Sequence, residues 1–161
     1  MWYTAILEET GHLALENRKM KTTITTSFKE TQKIGEEFAK KLKGGEVLAL
    51  YGDLGSGKTT FMQGLAKGLG IERNIISPTF IIMRTYHLKG EVLKNLYHLD
   101  LYRIENESQA VELGLEELME DSENIVAIEW PEKIENLMPS NKITIYFTYL
   151  NDDKREIRID N

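Results

Sequence analysis

The sequence predicts an α/β fold, a three-layer sandwich with a central mixed sheet and flanking helices, and three observations carry that prediction. VLALY at residues 47–51 and IVAI at residues 125–128 are short apolar runs without alternation, as expected of strands covered on both faces. GDLGSGKTT, residues 52–60, joins the first of these runs to a stretch with helical spacing. Runs rich in β-branched and aromatic residues flank Lys89-Gly90 and Asn151–Asp153, adding antiparallel hairpins to a sheet that is parallel at its middle.

Taken in order, residues 1–19 are an unassigned N-terminal extension, and residues 20–161 read as a single domain. An extension, an expression remnant and an upstream translation start fit residues 1–19 equally. Threonine-rich Lys21–Thr26 is an expected edge strand. Ser27 and Glu30 make an S-x-x-E capping box. Phe28, Thr31, Ile34, Phe38 and Leu42 then recur at helical spacing until Gly44-Gly45. After the 47–51 strand, a helix is expected over Lys58–Leu69, with Phe61, Leu65 and Leu69 inward and Gly70 as its stop. FIIMRTYHL and EVLKNLYHLDLY form the first hairpin. Glu107–Met119 is read as one helix, with Val111, Leu115, Leu118 and Met119 on its inner side. The 125–128 strand ends at Glu129-Trp130-Pro131, because proline cannot continue a central ladder. A short helix over Lys133–Leu137 and a hairpin of Lys142–Leu150 with Arg155–Ile159 complete the reading.

Composition narrows the function. The 41% hydrophobic and 29% charged content is that of a globular chain, not a disordered one. No apolar run approaches the roughly 20 residues of a membrane span, and the first nineteen residues lack the pattern of a signal peptide. The absence of cysteine removes disulfides and thiolate sites and suits a cytoplasmic location. A net charge of -6 makes the chain a poor grip for nucleic acid by itself.

Gly52, Gly57, Lys58 and Thr59 satisfy G-x-x-x-x-G-K-[ST] between a buried strand and a helix, the setting of a P-loop. The sandwich is therefore expected to be P-loop NTPase-like. Glycines let successive N–H groups turn inward, so the loop from Asp53, Leu54, Gly55, Ser56 and Gly57 to Thr60 is expected to cradle the phosphates of ATP. Lys58 would reach the β- and γ-phosphates, and the Thr59 hydroxyl would hold Mg²⁺. Glu129, at the end of the second buried strand, is a metal or water-positioning candidate, although it also suits a simple strand end. In HLDLY, His98, Asp100 and Tyr102 share one face; spacing alone leaves Asp100 open between a ligand and a hydrogen-bonded strand residue, and His98 more structural than catalytic. Trp130 fits a base, a partner or the core. Nothing in the spacing chooses a γ-phosphate arginine among Arg73, Arg84 and Arg103, and no water-orienting glutamine stands out, which predicts slow hydrolysis without a partner.

GDLGSGKTTF at 52–61, SPTF at 77–80, HLDLYR at 98–103 and IEWPE at 128–132, with the S-x-x-E-T entry at Ser27–Thr31, resemble the TsaE (YjeE) family of bacterial P-loop ATPases over residues 20–132. The resemblance implies an ATPase required for making threonylcarbamoyladenosine beside the tRNA anticodon, at position 37. The partners it implies are TsaD and TsaB, which hold the tRNA and are reset between turnovers, so that tRNA is met only indirectly. It also implies that Lys58, Asp100 and Glu129 are catalytic and that Thr59 and Glu129 lie on the metal side. Ser77, Thr79, His98, Asp100 and Arg103 would be switch residues, with Trp130 beside the nucleotide and Phe28 near adenine. Two other readings of the loop are a small-molecule kinase and a nucleotide-dependent binding module with negligible turnover.

Overall fold

The computed structural model describes residues 20–73, 75–78 and 80–161. The expectations for residues 1–19 and for Thr79 lie outside the described residues. In chain order the elements are β1 (Met20–Thr25), α1 (Phe28–Ala39), β2 (Val47–Tyr51), α2 (Lys58–Gly68), β3 (Met83–His87), β4 (Asn95–Asp100), α3 (Glu107–Glu112), α4 (Leu115–Glu120), β5 (Asn124–Glu129), the 3₁₀ turn η1 (Pro131–Leu137), β6 (Ile143–Tyr149) and β7 (Arg155–Asp160).

One seven-stranded sheet has the order β1-β7-β6-β2-β5-β4-β3. β2 sits at its centre, parallel to both β5 and β6, and β4 runs parallel to β5. The antiparallel pairs are β3 with β4, β6 with β7, and β1 with β7. Strand periodicity divides the apolar residues between two cores. Leu48 and Leu50 face α1 and α2 with Phe38, Phe61 and Leu65, whereas Val47 and Ala49 face the opposite layer with Ala110, Leu115 and Ile134. These apolar runs do not alternate because both faces of the central strands are covered.

Glycine brings α1 and α2 together. A methyl group at Gly64 would stand 1.8 Å from the Gln32 carbonyl oxygen, and one at Gly35 would stand 2.3 Å from that of Phe61. Ridge-to-ridge contact this close takes place between backbones, so the sheet-facing residues of both helices reach Leu48 and Leu50 together.

Several local expectations change. α1 ends at Ala39, short of Leu42, which still packs on the core after a tightened last turn. Phe28 is not an inner-face residue; at the first helical position it is 63% exposed. The expected 107–119 helix is two short helices, because Gly114 takes a left-handed φ of 69° that closes α3 and redirects Leu115 into the core, leaving Val111 50% exposed. The 133–137 helix is instead a 3₁₀ turn starting at Pro131 and kinked at Ile134.

Candidate nucleotide site

The loop between β2 and α2 bends through Gly52, Gly55 and Gly57, with φ of 144°, 78° and 110°. Gly57 caps α2 in the left-handed region without any side-chain cap. The first N–H groups of α2 are thereby left for an anion, and its first turn carries no acidic residue. The loop forms the floor of a cleft of about 370 Å³.

Lys58 is buried on this floor. Its ammonium donates to the Gly52 carbonyl and, at 3.0 Å, to the Asp53 carbonyl. It also stands 4.3 Å from the centre of the Trp130 ring. Burial pushes this amine below the usual lysine range, and the charges of Glu129 and Asp100 restrain the fall.

Parallel pairing of β4 with β5 sets Asp100 opposite Glu129 at the C-terminal ends of neighbouring strands, where open α/β sheets place their ligand sites. The Thr59 hydroxyl lies 3.4 Å from Glu129 Oε1, and His98 Nε2 lies 2.8 Å from the same oxygen. Asp100 accepts from the Ser77 hydroxyl through Oδ2 and from the Tyr102 N–H at 3.0 Å through Oδ1. Asp100 therefore joins the 77–78 segment to the strand end. Beyond Glu129, Trp130 has a left-handed φ of 62°, which costs a side-chain-bearing residue about 1–2 kcal/mol. That turn stops the strand before Pro131 and lays the indole against both Lys58 and the Tyr102 ring, whose centre is 5.0 Å away.

The structure brings together most of the expected residues. Leu54, Gly55, Gly57, Lys58, Thr59 and Thr60 line the cleft from the loop and the start of α2; Asp100, Glu129 and Trp130 line it from the strand ends, Ser77 from the segment before β3, and Phe28 from α1. Four others stand back. Asp53 contributes its carbonyl to Lys58, and Ser56 is buried within the loop. Arg103 lies over the Phe80 ring at 4.4 Å and does not line the cleft. His98 is 0% exposed, a layer behind Glu129. Tyr102 follows the end of β4 and is not on the strand face with His98 and Asp100, yet it still lines the cleft.

One wall was missed by the sequence reading. Asp152, Asp153 and Arg155, at the β6–β7 turn, line the cleft beside Ser27 and Phe28, because Arg155 pairs with Thr25 at the end of β1. The Arg155 guanidinium donates to the carbonyls of Asn151 at 2.7 Å, Lys154 at 3.0 Å and Asp152 at 3.3 Å, and its side-chain carbons come within 3.6 Å of where a Gly57 Cβ would stand. No motif announces this wall, since it arises from the pairing of β6 with β2.

The donors fit a hard divalent cation. The Thr59 hydroxyl and the Glu129 carboxylate are adjacent oxygen donors, with Asp100 on the next strand. Among the described residues no cluster of three or more His, Cys, Asp or Glu forms a complete metal cage. An ion here would take its remaining ligands from phosphate and water, the habit of Mg²⁺. Among the described residues no helix is long and apolar enough to cross a membrane.

The family model "Threonylcarbamoyl adenosine biosynthesis protein TsaE" matches residues 25–157. Similar curated proteins share the name "tRNA threonylcarbamoyladenosine biosynthesis protein TsaE". The one from Bacillus subtilis (strain 168) is 42% identical over 133 residues, 83% of this chain and 80% of that protein. The one from Rickettsia bellii (strain RML369-C) is 41% identical over 140 residues, 86% of this chain and 94% of that protein. A crystal structure of "Bacillus subtilus YdiB" superposes with a TM-score of 0.74 at 36% identity, covering 89% of this chain and 86% of that one.

Proposed function

This chain belongs to the TsaE family of threonylcarbamoyl adenosine biosynthesis proteins, and from that premise we propose that it binds and hydrolyses ATP with Mg²⁺ in the cytoplasm to support threonylcarbamoyladenosine formation on tRNA. Residues 20–161 act as one domain that docks on a TsaD–TsaB pair and meets tRNA only through it. The observation that carries the reading is the convergence of Lys58, Thr59, Asp100 and Glu129 on one cleft at the strand ends.

The residues take the following parts. The loop amides and the start of α2 receive the β-phosphate. Lys58 exchanges the Gly52 and Asp53 carbonyls for phosphate oxygens. Thr59 and Glu129 would hold Mg²⁺, which when bound supplies charge neutralisation of the phosphates. Asp100, already hydrogen-bonded to Ser77, reports the state of the γ-phosphate to the 77–78 segment and thence to the partner surface. Hydrolysis takes the γ-phosphate away from that tie and changes affinity for TsaD–TsaB.

The test is calorimetric titration with ATP and ADP, with and without Mg²⁺, followed by hydrolysis assays alone and with TsaD–TsaB. Wild type should take up nucleotide and Lys58→Ala should lose phosphate-dependent affinity. Equal affinity and kinetics of the ATP and ADP forms toward TsaD–TsaB would sink the coupling.

A further inference from the structure

His98 is the polar side chain at the site whose position the nucleotide chemistry does not explain. Its ring is completely buried, one layer behind the cleft, with Nε2 2.8 Å from Glu129 Oε1. Thr59 Oγ1 reaches the same oxygen at 3.4 Å. His98 Nδ1 is buried with no hydrogen-bond partner.

That asymmetry decides the tautomer. A proton on Nδ1 alone would bury an unsatisfied N–H and turn a lone pair on the carboxylate, whereas a proton on Nε2 finds an acceptor in Glu129 Oε1. The Nε2–H therefore donates to the carboxylate. That bond holds the Glu129 side chain where it lines the cleft.

We propose that His98 is a positioning residue for the divalent cation: by holding Glu129 Oε1 between its own Nε2–H and the Thr59 hydroxyl, it fixes the carboxylate in the rotamer that receives the metal. Glutamate at this strand end otherwise has a competing partner in Lys58, whose ammonium shares the same cleft. Without the imidazole, Glu129 would turn toward that ammonium, and Lys58 and the metal site would be lost to each other. This role rests on the proposed Mg²⁺–nucleotide reading of the cleft. It is the carboxylate–histidine arrangement of metal sites turned around, with the histidine behind the ligand, and removing such supporting groups costs about tenfold or more in metal affinity.

The test measures affinity for a fluorescent ATP analogue against Mg²⁺ concentration, together with Mn²⁺ binding by electron paramagnetic resonance, on the full chain. His98→Phe should leave metal-free nucleotide affinity within about twofold of wild type and raise the half-saturating Mg²⁺ by about tenfold. His98→Gln, whose amide nitrogen occupies the Nε2 position, should restore metal affinity to within about threefold, and His98→Asn, whose amide is too short, should not. In a Glu129→Gln background, His98→Phe should cause no further loss. Should His98→Phe fail to fold, the Gln and Asn pair alone decides the matter. A folded variant that loses metal-free and Mg²⁺-dependent affinity equally, or Gln and Asn variants that behave alike, overturns the positioning role while leaving the nucleotide reading intact. Wild-type protein with no Mg²⁺-dependent uptake of nucleotide removes that reading, and this inference with it.

Discussion

Replacing Gly64 by alanine puts the α1–α2 contact to a quantitative test. The new methyl would stand 1.8 Å from the Gln32 carbonyl oxygen, against the 3.4 Å of ordinary contact, and the next nearest atoms are also Gln32 backbone. No flexible side chain can give way, so the helices must part by about 1.6 Å or the sheet-facing residues must leave their rotamers. Overpacking of this kind costs about 3 kcal/mol at the upper end of its range, and the better helix propensity of alanine returns about 1 kcal/mol. The net loss of about 2 kcal/mol lowers Tm by about 4–8 °C in a chain of this length. Differential scanning calorimetry of Gly64→Ala beside Gly70→Ala is the assay. At Gly70 a methyl meets nothing within 4 Å and only the φ of 78° resists it, so that variant should lose about 1 kcal/mol. Because α1 carries Ser27, Phe28 and Thr31 to the cleft, Gly64→Ala should also weaken nucleotide binding. An unchanged or raised Tm in Gly64→Ala would refute the close-contact argument.

Other consequences are as direct. Asp100→Asn removes one of the carboxylates lining the cleft, so metal-free ATP should bind about fivefold more tightly, worth about 1 kcal/mol, while hydrolysis falls; weaker metal-free binding would contradict this electrostatic view. Arg155→Ala frees the β6–β7 turn from three carbonyl contacts and should raise the nucleotide Kd about fivefold, the equivalent of one net hydrogen bond, with calorimetric titration as the check. The Glu30 carboxylate accepts the Thr26 N–H at 2.7 Å, and that bond holds it below the usual carboxylate range. Its folded form thus favours the charged state: the contribution is complete above about pH 4.5 and disappears as pH falls through the lowered value. Glu30→Gln should flatten that part of the acid-unfolding curve, and a curve of unchanged shape would count against it.

How much of this was legible in the sequence depended on the range of the signal. VLALY and the P-loop are local, and β2 and the start of α2 coincide with the expected residues. The hairpins were visible as turns between β-rich runs, but their shorter limits, Met83–His87 and Asn95–Asp100, follow from pairing with β5. Gly114 defeated the single-helix reading because helical periodicity continues on either side of it, and only the tertiary placement of Leu115 shows the break. The glycine contact between α1 and α2 was invisible since periodicity arguments count apolar side chains, and here the contact residues have none. In the cleft, Glu129 was a candidate from its strand end, whereas spacing left Asp100 open and only the family resemblance singled it out. Their register, the Ser77 tie and the third wall at Asp152 and Arg155 needed the sheet order, which no spacing encodes.

The pairing of β1 with β7 has an engineering meaning. Met20 lies opposite Asp160 across an antiparallel ladder, so a short peptide could splice residue 160 to residue 20 without crossing the cleft. Opening such a permuted chain at the Lys89–Gly90 turn would make the β6–β7–β1 meander a contiguous stretch of polypeptide. The longest-range strand pairing would then become a local one, and the rearranged molecule should refold faster than its parent while keeping the same ligand cavity.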